Sequence, residues 1–262
     1  MKITLFTSNK NRHNYLINHF SKICDELFVV QEGGTIFPGV VPGHYAVSDI
    51  MKKYFENVHA AQNKFFGNLH IDNFSKNVKL LSISSGDLNK CSLSFLSDFL
   101  KSDIYIVFGS SYIKGELINF LVKNKTINIH MGVSPYYRGT DCNFWALYDN
   151  NPHLVGATIH MLSKGLDNGP MLYHAMSCIK SNPFEYTMST VKSAFHSIAE
   201  RIKDKSIFNI EPTKQSKSKE IKYSKKIEFN DEIVKNYFEK TIDLNIKKFD
   251  NSLLKEPFFL NN

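Results

Sequence analysis

Short apolar runs alternate with segments of helical periodicity along the first 130 residues, and this alternation constrains the fold more than any other feature of the chain. The apolar runs predict strands over residues 2–7, 26–31, 79–83, 104–108 and 126–130. Apolar positions at helical spacing predict helices around residues 15–23, 48–66, 92–100 and 114–123. Residues 104–108 are apolar throughout, which is typical of a strand that is buried on both faces. Elements in this order predict an α/β fold with a Rossmann-like, mostly parallel sheet and helices on both faces.

The second half of the chain continues this pattern and then changes character. Further strands are predicted over residues 154–161 and 171–179, and a long amphipathic helix over 184–202. After about residue 205 the chain becomes polar and rich in lysine. A chain of 262 residues is long enough for one large domain with an appendage and too short for two domains with separate cores. We therefore expect one domain over residues 1–205 and a short C-terminal extension over residues 206–262.

The charge balance favours anionic ligands. Lysine and arginine number 32 against 25 acidic residues, so the net charge is +7, which does not by itself mark a dedicated nucleic-acid binder. The most basic stretch, residues 214–226, carries six lysines against one acidic residue, Glu220. This stretch is either a solvated surface strip or a contact for an anion or a nucleic acid.

The cysteines and the hydropathy exclude several classes of protein. Four cysteines lie far apart without a CxxC pair, which argues against a disulfide framework, a metal site or a redox motif: Cys24, Cys91, Cys142 and Cys178. No apolar run approaches the ~20 residues that a membrane helix needs, and the first residues lack the apolar segment of a signal peptide. We therefore expect a cytoplasmic protein with reduced thiols, no metal and no membrane partner.

Two polar residues that can take part in chemistry lie within the predicted strand at 126–130. Asn128 and His130 are two positions apart, so both side chains project to the same face of a strand. An amide and an imidazolium are good donors to the negative oxygen that forms when an amine attacks an acyl carbon. Asp167, if it lies close to His130, favours the charged imidazole and fixes its orientation. Taken singly, these residues favour a structural interpretation over a catalytic one, such as a turn-forming role for Asp167.

Four motifs stand in a fixed order around these residues. They are INIH at 127–130, SPYYRG at 134–139, GATIH at 156–160 and GLDNGP at 165–170. Together they resemble the folate-dependent formyltransferases, the superfamily with methionyl-tRNA, glycinamide ribonucleotide and sugar N-formyltransferase branches. The resemblance covers residues 100–205 well and the first 100 weakly. It implies that residues 1–205 form a catalytic domain of the formyltransferase fold, with Asn128, His130 and Asp167 as the catalytic residues.

The resemblance also implies the donor and its site. The formyl donor would be N10-formyltetrahydrofolate, with its pterin held by main-chain groups of residues 108–113 and 162–167. Four side chains are expected to wall this site: Tyr112, Ile113, Leu162 and Leu166. Tyr112 has an equally good interpretation as ordinary packing. The absence of a GxGxxG motif after the first strand weakens a dinucleotide-binding interpretation of the same fold.

The first predicted turn and one arginine are candidate contacts for the acceptor. Small polar side chains, two cations and the free N–H groups of a helix start suit a phosphate, although a plain N-capping turn has the same residue types. The residues are Ser8, Asn9, Lys10 and Arg12, with Arg138 further along the chain. His160, on a predicted strand, is interpreted as structural, and Cys142 as packed rather than reactive.

The family branches differ in their acceptors. A tail of about 57 residues after residue 205 is too short for the C-terminal domain of the tRNA branch, and the first turn lacks the glycines of the purine branch. By elimination the resemblance implies that the acceptor is a primary amine on a nucleotide-linked sugar, and that the protein has a role in polysaccharide biosynthesis. It also implies that the C-terminal extension serves either to form a homodimer or to contact the substrate. Residues 131–134, MGVS, depart from the common family pattern and put the acceptor in question.

Two further interpretations stay open. One is a phosphoribosylglycinamide or methionyl-tRNA formyltransferase-like acceptor. The other belongs to a different class and is a non-catalytic nucleic-acid-binding protein that uses residues 214–226. The second would show a steep salt dependence of binding and no folate requirement.

Overall fold

The computed structural model describes residues 1–34, 48–69, 73–244 and 250–260. The strands are β1 (Lys2–Ser8), β2 (Glu26–Gly33), β3 (Val78–Ser84), β4 (Ile104–Phe108), β5 (Ile127–His130), β6 (Tyr137–Gly139), β7 (Ala157–Met161), β8 (Met171–Ser177), β9 (Lys222–Ser224) and β10 (Phe258–Leu260). The α-helices are α1 (Asn11–Phe20), α2 (Asp49–Phe66), α3 (Gly115–Lys123), α4 (Cys142–Tyr148), α5 (Pro183–Lys203) and α6 (Asp231–Glu239).

Eight of these strands form one sheet, in the order β10-β8-β7-β5-β4-β1-β2-β3. The five strands from β3 to β5 in this order pair in parallel, whereas β7 runs antiparallel to both β5 and β8. Parallel pairing follows from the helices that connect β1 to β2, β2 to β3 and β4 to β5, since parallel strands need such crossovers. The predicted α/β fold with a mostly parallel sheet is confirmed.

Helices pack on both faces of the sheet. Along β4, Ile104, Ile106 and Phe108 join one buried apolar cluster, whereas Tyr105 and Val107 join a second. The first cluster includes apolar residues of α1, α2 and α5, and the second includes those of α3. All five residues of β4 are buried, as a strand covered on both faces requires.

The helix predicted over residues 92–100 is wrong. The structure has turns there, followed by a short 3-10 helix at Ser97–Leu100. The Ser92 hydroxyl accepts a hydrogen bond from the Phe95 N–H at 3.1 Å and lies 2.9 Å from the Ser94 hydroxyl. Such local side-chain bonds compete with the α-helical hydrogen-bond pattern, so the apolar spacing alone misled the prediction.

The described part of the C-terminal extension is built into the domain. β10 adds a parallel strand to the edge of the main sheet beside β8, and β9 pairs with β6 in a second, two-stranded sheet. Within the lysine-rich stretch, the Lys222 ammonium pairs with Glu228 at 2.9 Å and lies 4.0 Å from the centre of the Trp145 ring. The division at residue 205 and a role of the extension in dimerisation stay predictions.

Three further observations concern membrane-spanning helices, cysteines and metal ligands. Among the helices that the structure describes, none has the length and apolarity that a membrane-spanning segment requires. The four cysteines are free thiols. Within the described ranges, no group of three or more His, Cys, Asp or Glu side chains is placed to hold a metal ion.

Candidate active site

A cavity of about 670 Å³ opens where β1, β4 and β5 end. Because these strands are parallel, their carboxyl ends meet at one edge of the sheet, where α/β folds place their ligands. The turn after β1, the turn after β4, the end of β5, the start of α4 and the loop after β7 all line this cavity. Asn128, His130 and Asp167 are among the lining residues, so the structure brings the three predicted catalytic residues together.

His160 and Asp167 hold the amide of Asn128. The Asn128 Nδ2 lies 2.9 Å from Nε2 of His160 and donates to Oδ1 of Asp167 at 3.4 Å. His160 lies directly opposite Asn128 on the antiparallel strand β7. Its Nδ1 lies 2.9 Å from the carbonyl oxygen of Met161, so Nδ1 carries the hydrogen and Nε2 accepts from Asn128. Two acceptors therefore fix the orientation of the Asn128 amide.

Burial keeps His160 neutral. Removal from water, together with the neighbouring His130, lowers the pKa of the His160 imidazole to about 4. At neutral pH the ring has one donor and one acceptor nitrogen, which is the form that the contact with Asn128 needs.

His130 lies between a carboxylate and the floor of the cavity. Its Nδ1 is 3.4 Å from Oδ2 of Asp167, and its Nε2 is 3.5 Å from the Tyr137 carbonyl oxygen. The second distance is long for a hydrogen bond, so Nε2 can turn to a better acceptor in the cavity. The ring is buried, with 7% of the side chain exposed. The Asp167 carboxylate therefore lies next to one ring nitrogen, and its role in orienting the ring stays a prediction.

Two glycines allow this close packing. A side chain on Gly132 would place its Cβ 2.8 Å from Nε2 of His130, and a side chain on Gly169 would collide with the Met161 carbonyl oxygen. Gly132 belongs to the MGVS segment that departs from the family pattern. The departure thus makes room for Cys142 beneath the histidine.

Cys142 is a packed thiol. Its Sγ lies 3.6 Å from Nε2 of His130. Burial, reinforced by the nearby Asp167 and Asp141, raises the pKa of the Cys142 thiol far above its usual value. A thiol that stays protonated is a poor nucleophile, so the position next to His130 does not make Cys142 reactive.

The four residues expected to wall the pterin site all line the cavity. Ile113 is buried and Leu162 half-buried, whereas Tyr112 and Leu166 are exposed at the rim. The Tyr112 hydroxyl donates to the Lys164 carbonyl at 2.6 Å and so connects the loop after β4 with the loop after β7. Residues of both predicted walls therefore line one cavity, and their role in holding a pterin stays a prediction.

The Glu32 carboxylate holds the loop after β4 through hydrogen bonds to Ser111. Its carboxylate accepts hydrogen bonds from the N–H of Gly86 at 2.8 Å and from the N–H and hydroxyl of Ser111 at 2.6 and 2.9 Å. Glu32 is buried at the end of β2. A buried carboxylate with three donors is satisfied without a cation, and it makes the wall at residues 109–113 rigid.

Three of the four predicted residues in the first turn line the cavity. Ser8, Lys10 and Arg12 do so, whereas the Asn9 amide packs against Gly33 outside it. Arg12 donates to Oε1 of Gln62 at 3.0 Å. Burial lowers the pKa of Arg12, and burial together with Arg12 lowers the pKa of Lys10. Within the described residues neither cation forms an ion pair, although the nearby Asp141 carboxylate partly offsets the effect of burial on the pKa of Lys10.

Arg138 has other partners than the predicted substrate. Its guanidinium pairs with Glu220 at 2.9 Å and donates to the Leu166 carbonyl at 3.3 Å, and the residue is not among those that line the cavity. This buried geometry gives no support to a substrate contact and makes Arg138 a link between the extension and the loop that carries Asp167.

Residues 100–207 match the family model described as formyl transferase. This segment belongs to the formyl transferase family. It contains β4, β5, the loop after β7, and all three of Asn128, His130 and Asp167. The resemblance drawn from the motifs is therefore confirmed.

The chain that contains this formyl transferase segment is also similar to individual known proteins. A methionyl-tRNA formyltransferase from Thermosynechococcus vestitus is 36% identical over 73 residues, which is 28% of this chain and 22% of that protein. The chain thus matches about a fifth of the length of that curated relative. A sugar N-formyltransferase from Shewanella sp FDAARGOS_354 superposes with a TM-score of 0.51 at 15% identity, over 87% of this chain and 78% of its own.

A second solved structure shows the same fold. It is the N-formyltransferase from Helicobacter canadensis in complex with folinic acid and dTDP-3-aminofucose, with a TM-score of 0.50 and 14% identity over 90% of this chain and 79% of its own. At these identities the likeness shows the fold alone. The formyltransferase fold expected from the sequence is therefore confirmed.

Several residues that build the site of the formyl transferase domain were missed by the sequence analysis. Glu32 and Gln62 contact site residues through bonds that span 79 and 50 positions of the chain. Gln215 donates to the main chain of the Asp167 loop across 48 positions. His160 carried a usable signal, because its predicted strand alternates it with Thr158 on one face next to β5.

Proposed function

We propose that the protein is an enzyme that transfers a formyl group from N10-formyltetrahydrofolate to a primary amine. One observation carries the proposal: Asn128, His130 and Asp167 share one cavity and all lie within the formyl transferase segment. Neither the amide, the imidazole nor the carboxylate has to form a covalent bond to the formyl group, so a reactive thiol at Cys142 is not needed.

The geometry suits direct attack of a neutral amine on the formyl carbon. As the new C–N bond forms, negative charge develops on the formyl oxygen, and the Asn128 amide and Nε2 of His130 are side-chain donors that line the cavity. Asn128 gives one N–H to His160 at 2.9 Å, and the weaker 3.4 Å contact to Asp167 is the one that can be exchanged. The proton that leaves the amine passes to the leaving nitrogen through His130, Asp167 or a held water.

The donor fits the slot between the loops after β4 and β7. Ile113 and Leu162 offer apolar surface, and main-chain groups of both loops are available to the polar edge of a pterin. The hydrogen bond from the Tyr112 hydroxyl to the Lys164 carbonyl joins the two loops, and Glu32 supports the loop after β4. The complex of the Helicobacter canadensis protein with folinic acid supports a folate in this fold.

For the acceptor we favour a primary amine on a nucleotide-linked sugar. The two solved structures named above are a sugar N-formyltransferase and a protein bound to dTDP-3-aminofucose, and the first turn offers Lys10 and Arg12 to a diphosphate. A diphosphate takes charge-assisted hydrogen bonds from such cations. Nucleotide-linked sugars, reduced folates and free thiols are consistent with a reaction in the cytoplasm that feeds polysaccharide biosynthesis. We further propose that the C-terminal extension serves a homodimer.

The experiment presents several amines to the purified protein with N10-formyltetrahydrofolate. The panel contains nucleotide-linked amino sugars, glycinamide ribonucleotide and methionyl-tRNA, and mass spectrometry reads the gain of one formyl group. We expect transfer to an amino-sugar nucleotide. Efficient transfer to either of the other acceptors instead would refute the sugar assignment and keep formyl transfer, whereas no transfer to any acceptor contradicts the function.

Variants connect the activity to the site. His130→Ala should lower kcat by ~100-fold, because one donor to the developing charge is lost. His153→Ala, which alters a histidine that does not line the cavity, is the matched control and should keep wild-type turnover. Combined Lys10→Ala and Arg12→Ala should raise the KM of the acceptor by about tenfold or more and leave the KM of the folate nearly unchanged. An equal change in both KM values would remove the first turn from the acceptor site.

A further inference from the structure

We infer that Gln215, in the C-terminal extension, is a positioning residue that holds Asp167 in its working conformation. The inference rests on the proposed formyl transfer and goes beyond it, because it makes the extension part of the active-site architecture. It concerns one side chain and the two main-chain carbonyl groups that it contacts.

The Gln215 amide bridges the turn that carries Asp167. Its Nε2 donates to the main-chain carbonyl of Asp167 at 2.8 Å and to that of Gly169 at 2.9 Å. Both neighbours are acceptors, so only the NH₂ end of the amide can face them. The other end, Oε1, is buried without a hydrogen-bond partner in the described structure, which shows that the two donor contacts set the orientation of this side chain.

Asp167 needs such a constraint. Its φ angle is 46°, in the left-handed region that favours glycine, and its side chain is 14% exposed. A non-glycine residue stays in this region only when its surroundings hold it there. In this conformation the carboxylate reaches His130 through Oδ2 and Asn128 through Oδ1. Rotation of the backbone at Asp167 would break both contacts.

The extension offers a firm base for Gln215. Two residues earlier, Thr213 and the first residue of β8, Met171, exchange hydrogen bonds at 2.8 and 2.9 Å. Arg138 adds a second link, because it donates to the Leu166 carbonyl and pairs with Glu220 of the extension. Arg138 and Gln215 together therefore hold three carbonyl groups at and next to Asp167, those of residues 166, 167 and 169, and Gln215 supplies two of these three bonds.

The test uses a side chain of similar length that has no N–H donor. Gln215→Met should lower kcat by ~10-fold, with the KM of the folate within about twofold of wild type, since the loss of two hydrogen bonds changes the placement of Asp167 and leaves the pterin walls intact. In an Asp167→Ala background the same substitution should cause no further loss, because a residue that acts through Asp167 has nothing left to position. The matched control is Lys214→Met, an exposed neighbour, which should behave as wild type.

Each outcome of these measurements either supports or overturns the inference about Gln215. Wild-type kcat in a folded Gln215→Met protein, or a full additional loss in the Asp167→Ala background, overturns the inference. If Gln215→Met does not fold, Gln215→Glu, which keeps the shape and removes the donors, takes its place in the same cycle. Failure of both variants to fold makes Gln215 a folding residue and also overturns the inference. Absence of turnover in the wild-type protein is a separate result, which refutes the proposed function itself.

Discussion

His174 should make the folded state sensitive to mild acid. The ring is buried on β8, and both of its nitrogens are used: Nδ1 accepts from the Lys255 N–H at 2.9 Å, and Nε2 lies 2.8 Å from the Ser134 carbonyl oxygen. This is the neutral form with hydrogen on Nε2, and it connects the C-terminal extension to the loop after β5. A second proton would sit on Nδ1 and face the Lys255 N–H, so protonation must break that contact.

The size of the effect follows from the pKa shift. Burial lowers the pKa of the His174 imidazole to about 4 in the folded protein, against ~6.5 in the unfolded chain. The unfolded state therefore binds a proton first, and stability is lost as the pH falls from the unfolded value toward the folded one. Between pH 7 and pH 5 this linkage costs ~2 kcal/mol, and below pH 4 the full loss approaches ~3 kcal/mol.

Urea unfolding at pH 7 and pH 5 measures this contribution. The comparison is with His174→Gln, in which the side chain keeps a donor and an acceptor and does not titrate. Other buried histidines lower the stability of both proteins equally, so the difference between the two pH dependences isolates His174. We expect the wild-type protein to lose ~2 kcal/mol more than the variant on going to pH 5. Equal losses in the two proteins would refute the reasoning.

Three more predictions follow from contacts in the site. Asn128→Ala should lower kcat by ~100-fold in the formyl-transfer assay with little change in the melting temperature, and near-normal turnover would remove it from the catalytic set. Glu32→Gln places an amide N–H against the donors of Ser111, so the Kd for tetrahydrofolate, measured by calorimetry, should rise by about tenfold, and an unchanged Kd would separate this loop from the folate site. Cys142→Ser should keep activity. The native Cys142 thiol should resist a disulfide reagent at pH 8, because burial raises the pKa of this thiol. Rapid modification of Cys142 in the folded protein would contradict this prediction.

Local sequence signals predicted most of the strands in the sheet. β4 has the predicted bounds, and α2 and α5 begin and end within one residue of prediction. Both helices have N-caps that the sequence displays: Ser48 accepts from the Met51 N–H, and Asn182 accepts from residues 184 and 185. Strong periodicity with a clear cap predicts an element well, because both act within a few residues.

Short elements and long-range contacts escaped the prediction. α6 has an amphipathic pattern and an Asn230 cap that the prediction left unused, whereas α4 is only seven residues long and β10 only three. Their formation depends on packing against partners that are distant in the chain, and periodicity does not report such partners. The ion pair between Arg138 and Glu220, across 82 positions, is of the same kind, and the substrate contact expected for Arg138 stays a prediction.

Four histidines line the cavity, and two of them, His130 and His160, lie beside Asn128 and Asp167 in different surroundings. His160 has the Met161 carbonyl on one nitrogen and the Asn128 amide on the other, so it must stay neutral to hold the amide in place. His130 has acceptors near both nitrogens, the Asp167 carboxylate at 3.4 Å and the Tyr137 carbonyl at 3.5 Å, and both contacts are long for hydrogen bonds. Asp167 contacts both Asn128 and His130, and its own placement depends on Gln215. A loss of Gln215 should therefore disturb both donors to the formyl oxygen together, whereas a loss of His160 should disturb only Asn128.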